Sequence, residues 1–261
     1  MVWRRSGATL ACLAALCRPV GAETVYQWTD SDGSVRVTHG KPDLGVAYEA
    51  FEVPDPITWL NAPDMPAEAG AGDAKSARNF FKLASKSVYG LAGRVQDGSG
   101  ATRGVVFGSA VAITDKLAIT NCHVLVNAGD NIYLGAGGSD ESEQARLVGA
   151  NFEADRCVVR VSRMDLQPVP GIRRFDALEV GETVYAIGNP LKLDRTLSEG
   201  LLSGKRVKGD LRYLQTTAPI SPGSSGGGLF DAQGNLIGIT SFTIKGTQSL
   251  NFAIPAEDYW K

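Results

Sequence analysis

From about residue 85 onward, apolar and polar positions alternate in short runs separated by Gly, Asp and Asn. GVVFGSAVAIT (104–114), KLAIT (116–120), NIYLG (131–135), ARLVGA (145–150) and CVVRVS (157–162) come first. ETVYAIG (182–188), LLSGKRV (201–207), YLQTTAPI (213–220), LIGITSFTI (236–244) and LNFAIP (250–255) follow. Runs of this length, rich in Val, Ile, Leu and Tyr and closed by turn residues, predict strands. No long amphipathic helices alternate with them. The pattern therefore disfavours a parallel α/β sheet and predicts an all-β barrel or sandwich. No internal repeat of fixed period is visible.

Upstream the pattern changes twice. TVYQWTDSDGSVRVTHG (24–40) alternates on either side of DSDG, the chemistry of a β-hairpin, and an acidic, Pro-containing stretch follows. NAPDMPAEAGAGDAKSA (61–77) is rich in Ala, Gly, Pro and Asp and reads as a linker. The expected organisation is a small β module at 23–56, a linker at 57–77 and a main domain at 78–261, itself divided near residue 170.

The first 22 residues read differently again. Arg4 and Arg5 precede the short apolar run SGATLACLAALC, and small residues follow at Gly21 and Ala22. This charged, apolar, small-residue layout predicts a secretory signal peptide cleaved after Ala22, with an apolar run too short to span a bilayer comfortably. No other segment has the apolar length of a span, so the expectation is a periplasmic or secreted protein. A net charge of -2 without a dense basic stripe gives no electrostatic reason to expect nucleic acid. Loss of the leader would leave Cys122 and Cys157, an even pair and a candidate disulfide in an oxidising compartment.

Candidate chemistry centres on PISPGSSGGGLF (219–230), which offers Ser221, Ser224 and Ser225 but has the composition of a turn. Gly223, Ser225 and Gly227 also fit the nucleophile-elbow pattern, which requires a histidine after the serine. The chain has two histidines, His39 in the hairpin region and His123, and both precede it. The elbow is excluded. The order His…Asp…Ser remains open, and it needs a carboxylate between residues 123 and 225. Asp155 stands at the head of an apolar strand in FEADRCVVRV, while Glu153 reads as a solvated loop residue.

TNCHV, DRCVV and GSSGG, in that order, resemble the trypsin-like serine proteases, in particular their bacterial HtrA-like branch. AIGNPLKLDRTLSEGLLSG, ISPGSSGGGLFDAQGNLIGITS and LNFAIP extend the resemblance over about residues 85–255. It implies a two-barrel chymotrypsin-type fold and a serine endopeptidase acting on proteins or peptides without metal or cofactor. It also implies a triad of His123, Asp155 and Ser225, with the backbone N–H groups of Gly223 and Ser225 as oxyanion hole. Cys122 and Cys157 would then brace the base–acid pair. The hairpin, with Tyr26, Trp28, Asp30 and Gly33, resembles a small domain of unassigned activity found at the N-termini of exported bacterial proteins. It is a candidate holder of an envelope partner.

Departures from the family, the flanking pair Cys122 and Cys157 among them, shape further expectations. Only AEDYWK follows Pro255, so the PDZ domain usual in that branch is not expected. Ser224 stands where digestive relatives place an Asp, so activation by a newly cut N-terminus is not expected. No Asp or Glu lies just ahead of the nucleophile loop, and Pro219, Ile220 and the segment Thr240 to Phe242 suggest a small or apolar primary pocket. The competing function is a catalytically latent protease fold serving as a binding protein.

Overall fold

A computed structural model of the chain describes residues 23–29, 35–38, 45, 49–53, 65–67, 76–96, 102–125, 128, 131–136, 142–189, 195–243 and 249–260. The predicted leader and His39 lie outside these residues.

The N-terminal part is a three-stranded antiparallel sheet. Strand β1 (Glu23–Thr29) lies between β2 (Val35–Thr38) and β3 (Glu49–Val53). The hairpin expected at 24–40 corresponds to β1 and β2. The third strand comes from the acidic stretch beyond it.

The main body is two closed barrels, in agreement with the all-β expectation. The first contains β4 (Val88–Gln96), β5 (Thr102–Ala112), β6 (Leu117–Thr120), β7 (Ile132–Ala136), β8 (Ser142–Asn151) and β9 (Arg156–Arg160), in the order β4-β5-β6-β9-β8-β7. The second contains β10 (Thr183–Gly188), β11 (Thr196–Lys208), β12 (Leu211–Thr216), β13 (Gly228–Asp231), β14 (Leu236–Thr243) and β15 (Asn251–Pro255), in the order β10-β11-β12-β15-β14-β13. Each barrel takes its strands in the same rotation, a duplication of topology that left no fixed period in the sequence. Closure requires inward side chains to alternate but does not dictate which apolar residue stands at each place.

Three apolar clusters follow from this plan. One fills the first barrel, around Leu91, Ala110, Ile132, Leu134 and Val159. Another fills the second, around Val184, Leu202, Leu214, Leu229 and Ile237. The third is shared: Val111, Ile119 and Val158 of the first barrel meet Ile187, Phe230, Ile239 and Ile254 of the second. The interface that will carry the site is thus as apolar as a domain core.

An element the strand pattern did not predict seals this interface. Helix α1 (Ala77–Ala84) begins at Ser76, whose side chain accepts from Asn79 N as an N-cap. Its Phe80 is fully buried, stacked on Tyr185 at 4.5 Å and edge-on to Phe230 at 5.8 Å. The helix leads into the first barrel yet packs on the second. Part of the expected linker is also docked, since Met65 packs on the shared cluster and Ile172 N donates to Ala67 O.

Candidate active site

The first barrel presents His123 and Asp155. His123 lies in a single 3₁₀ turn, Cys122–Val124, separated from the buried strand β6 by Asn121 alone. Asp155 closes the turn between β8 and β9 with a left-handed backbone, φ 55°. That region disfavours most side chains but tolerates Asp. The turn is held by Ala154 N donating to Asn151 Oδ1 and Asp155 N to Phe152 O. Strands β6 and β9 pair Thr120 with Cys157, and the Cys122–Cys157 disulfide, S–S 2.12 Å, joins the residue before His123 to the strand after Asp155.

The two side chains meet. Asp155 Oδ2 lies 2.8 Å from His123 Nδ1, and Asp155 Oδ1 accepts from the His123 backbone N–H at 2.9 Å. A carboxylate partner on Nδ1 assigns the proton there and leaves Nε2 as the free acceptor of the neutral ring. Burial pushes the His123 pKa down, but the Asp155 hydrogen bond and charge outweigh it, and the net shift is above 6.5.

The second barrel presents Ser225 in the loop between β12 and β13. Ser221–Ser224 has the marks of a type II turn: Ser224 N donates to Ser221 O at 2.9 Å, Pro222 is second and Gly223 third with φ 93°. Ser109 of β5 ties the loop to the first barrel, its N–H donating to Ser225 O at 2.8 Å and its hydroxyl to Gly223 O at 2.9 Å. Gly226 has φ 84°, and a Cβ there would lie 2.0 Å from Ser109 O. A side chain at 226 would drive the barrels apart. Among the described residues, the backbone N–H groups of Gly223 and Ser225 donate to no protein group.

Ser241, placed by the sequence only within a pocket-lining segment, has a role the sequence did not show. The β14–β15 register slips between Thr240 and Phe242, so Ser241 is the extra residue of a bulge. Bulges re-aim side chains in this way. Its hydroxyl donates to Asp155 Oδ2 at 2.8 Å, and its carbonyl accepts from Ser225 Oγ at 2.9 Å. The nucleophile candidate therefore points at the Ser241 carbonyl and not at the imidazole. The alternation in LIGITSFTI reads straight through the bulge, which hid it.

The remaining sequence candidates divide. Glu153 is exposed, away from these contacts. Pro219 is exposed and Ile220 half-buried at the entry to the nucleophile loop. Phe242 is 42% exposed, stacked on Phe252 and edge-on to Tyr213. Asn251, at the start of β15, bridges the end of β14 and the segment after β12, accepting from Thr243 Oγ1 and donating to Ala218 O. Among the described residues, no group of His, Cys, Asp and Glu could hold a metal ion, and no helix is long and apolar enough to cross a membrane.

Comparison with known proteins gives the same picture. The family model of the trypsin-like peptidase domain matches residues 104–239, more than half of the chain. The chain is similar to the serine protease Do-like HtrB of Bacillus subtilis, 37% identical over 156 residues, which is 54% of this chain and 33% of that protein. It is also similar to the serine endoprotease DegS of Haemophilus influenzae, 31% identical over 202 residues, 71% of this chain and 58% of that protein. The solved HtrA-type protease AlgW with tripeptide superposes with a TM-score of 0.62 at 31% identity, covering 71% of this chain and 61% of that one. The chain spans about a third of the length of the first curated relatives it matches. With two closed barrels and an extended family match, the chain belongs to the trypsin-like peptidase family.

Proposed function

We propose that the chain is an exported serine endopeptidase that cleaves peptide bonds through an acyl-enzyme. His123 is the general base, Asp155 orients it and Ser225 is the nucleophile. The observation that carries this reading is the 2.8 Å contact of His123 Nδ1 with Asp155 Oδ2, beside the loop bearing Ser225. A serine hydroxyl is a poor nucleophile until a base accepts its proton, and Nε2 of a neutral His123 is that base.

The Ser225 hydroxyl leaves the Ser241 carbonyl and gives its proton to His123 Nε2 as Oγ bonds to the substrate carbonyl carbon. The carbonyl electron pair moves onto oxygen, where the N–H groups of Gly223 and Ser225 receive the charge. Asp155 favours the imidazolium that results. Collapse breaks the C–N bond, the leaving amine takes the proton from His123, and water repeats the sequence on the ester. Unspent N–H groups and a type II turn at Gly223 support an oxyanion hole at that place.

The leader at 1–22 and relatives described as periplasmic endoproteases support export to the periplasm or beyond. In this reading residues 23–56 form a module for an envelope partner, residues 57–77 join it to the peptidase at 78–261, and substrates are proteins or peptides with small or apolar side chains before the cut. A second reading, a latent protease fold that binds without cutting, is favoured by one observation: Ser225 Oγ bonds to the Ser241 carbonyl.

Labelling purified residues 23–261 with a fluorophosphonate, beside Ser225→Ala, separates the two. Label on the parent alone is the expected result. Absence of label from both proteins would favour the binding reading.

A further inference from the structure

We propose that Asn121 is a positioning residue that sets the spacing between the acid and the nucleophile across the two barrels. The proposal rests on the catalytic reading above.

Asn121 is fully buried, extended at φ -83° and ψ 142°, and placed between β6 and the turn bearing His123. Its carboxamide reaches both other segments of the site. Nδ2 donates to the Asp155 carbonyl at 3.2 Å, and Oδ1 accepts from the Gly226 N–H at 2.8 Å. These partners fix the orientation of the amide, because a backbone carbonyl only accepts and a backbone N–H only donates. One rigid planar group thus joins the peptide of the acid to the residue after the nucleophile, and its own backbone reaches the base two residues later.

The two ends are not equally important. Gly226 N–H has a second acceptor in Thr240 O at 2.8 Å, so the nucleophile loop keeps a partner when Asn121 is lost. Asp155 has a left-handed backbone, and its carbonyl has no other described donor than Asn121 Nδ2. A left-handed non-glycine residue persists only where its surroundings over-determine it. Loss of the carboxamide would therefore act on Asp155 first, and through Asp155 on His123.

This localisation gives a test that a purely structural role would not pass. Asn121→Ala removes both bonds. Asn121→Asp keeps the shape and the acceptor for Gly226 but loses the donor to Asp155. Both variants are expected to react with fluorophosphonate about 10- to 100-fold more slowly per folded molecule, the scale of an ångström-sized misplacement. The KM for a peptide substrate is expected to stay at the parental value while kcat falls. For Asn121→Ala the acid limb of the pH–rate profile is expected to move to lower pH, because a loosened Asp155 leaves burial to act on His123.

A folded Asn121→Ala protein that reacts at the parental rate, with its acid limb unmoved, would overturn the proposal even if its Tm had dropped. Should that variant not fold, a parental rate in Asn121→Asp overturns it equally. Failure of the parent itself to react, with Ser225→Ala as control, would count against the catalytic reading and not against the position of Asn121.

Discussion

Ser241 Oγ donates to Asp155 Oδ2 at 2.8 Å, so the acid of the first barrel is gripped by a residue of the second. Ser241 is free to do this because the bulge excludes it from the β14–β15 register. Hydrogen bonds to charged groups are worth roughly 1.5–3 kcal/mol net. Ser241→Ala is therefore expected to lower kcat about 10- to 100-fold, each 1.4 kcal/mol being about a factor of ten. The Ser241 carbonyl survives the substitution, so KM should hardly change. Steady-state kinetics on a peptide substrate checks both.

The pH dependence has a definite sign. The proposed mechanism needs neutral His123, whose pKa in the folded chain is raised above 6.5 by its contact with Asp155. The kcat/KM value should rise with pH through an apparent pKa above that of free imidazole. Stability runs the other way: the contribution of His123 is fully present below pH 6.5 and is lost as pH rises through the folded value. A pH–rate profile beside Tm measurements from pH 5 to 9 tests the pair of slopes.

Asp155→Asn removes the hydrogen-bonding carboxylate and its charge and leaves burial acting on His123. The acid limb is then expected below that of the parent. Activity should fall about 10⁴-fold, as when the corresponding acid of a related triad is made an amide. A sensitive fluorogenic substrate resolves the residual rate.

The Cys122–Cys157 bridge closes a loop of 35 residues. In the chain-entropy model this stabilises by roughly 3–4 kcal/mol. Replacing both cysteines with Ala is expected to lower Tm by about 10 °C in a domain of this size. Alkylation of unreduced residues 23–261, read by mass spectrometry, should find no labelled thiol.

Phe80 lies outside both barrels in sequence but inside their shared core. Phe80→Ala is expected to destabilise by about 3–5 kcal/mol, as for other buried aromatic residues. Urea unfolding measures it. A truncation that begins at residue 85 should show a similar loss.

What the sequence revealed, and what it concealed, has a physical pattern. Strands such as β7 were legible because a barrel wall forces apolar residues to alternate, as Ile132 and Leu134 do. Strand β4, VYGLAGRVQ, was not among the predicted runs, its alternation being broken by Gly90 and Gly93. His123, Asp155 and Ser225 stood out as candidates because histidine is scarce and the chain order admits few triads, and the structure brings His123 and Asp155 together. Helix α1 was not legible, since eight residues with one deeply buried aromatic side chain hardly establish a period. Ser241 and Asn121 were hidden for another reason. Each looks like an ordinary strand or strand-end residue, and its importance comes from partners more than 80 positions away, Asp155 for one and Gly226 for the other.

In the proposed mechanism, the division of the reacting groups between two barrels also bears on when the chain would be able to cut. The first barrel, with His123 and Asp155, emerges before the loop carrying Ser225, whether at the ribosome or on the far side of the membrane, and domains generally fold as units. Half a molecule is then harmless, however well it has folded. The same holds in reverse on heating: whichever barrel opens first silences the whole, so the least stable half sets the working temperature.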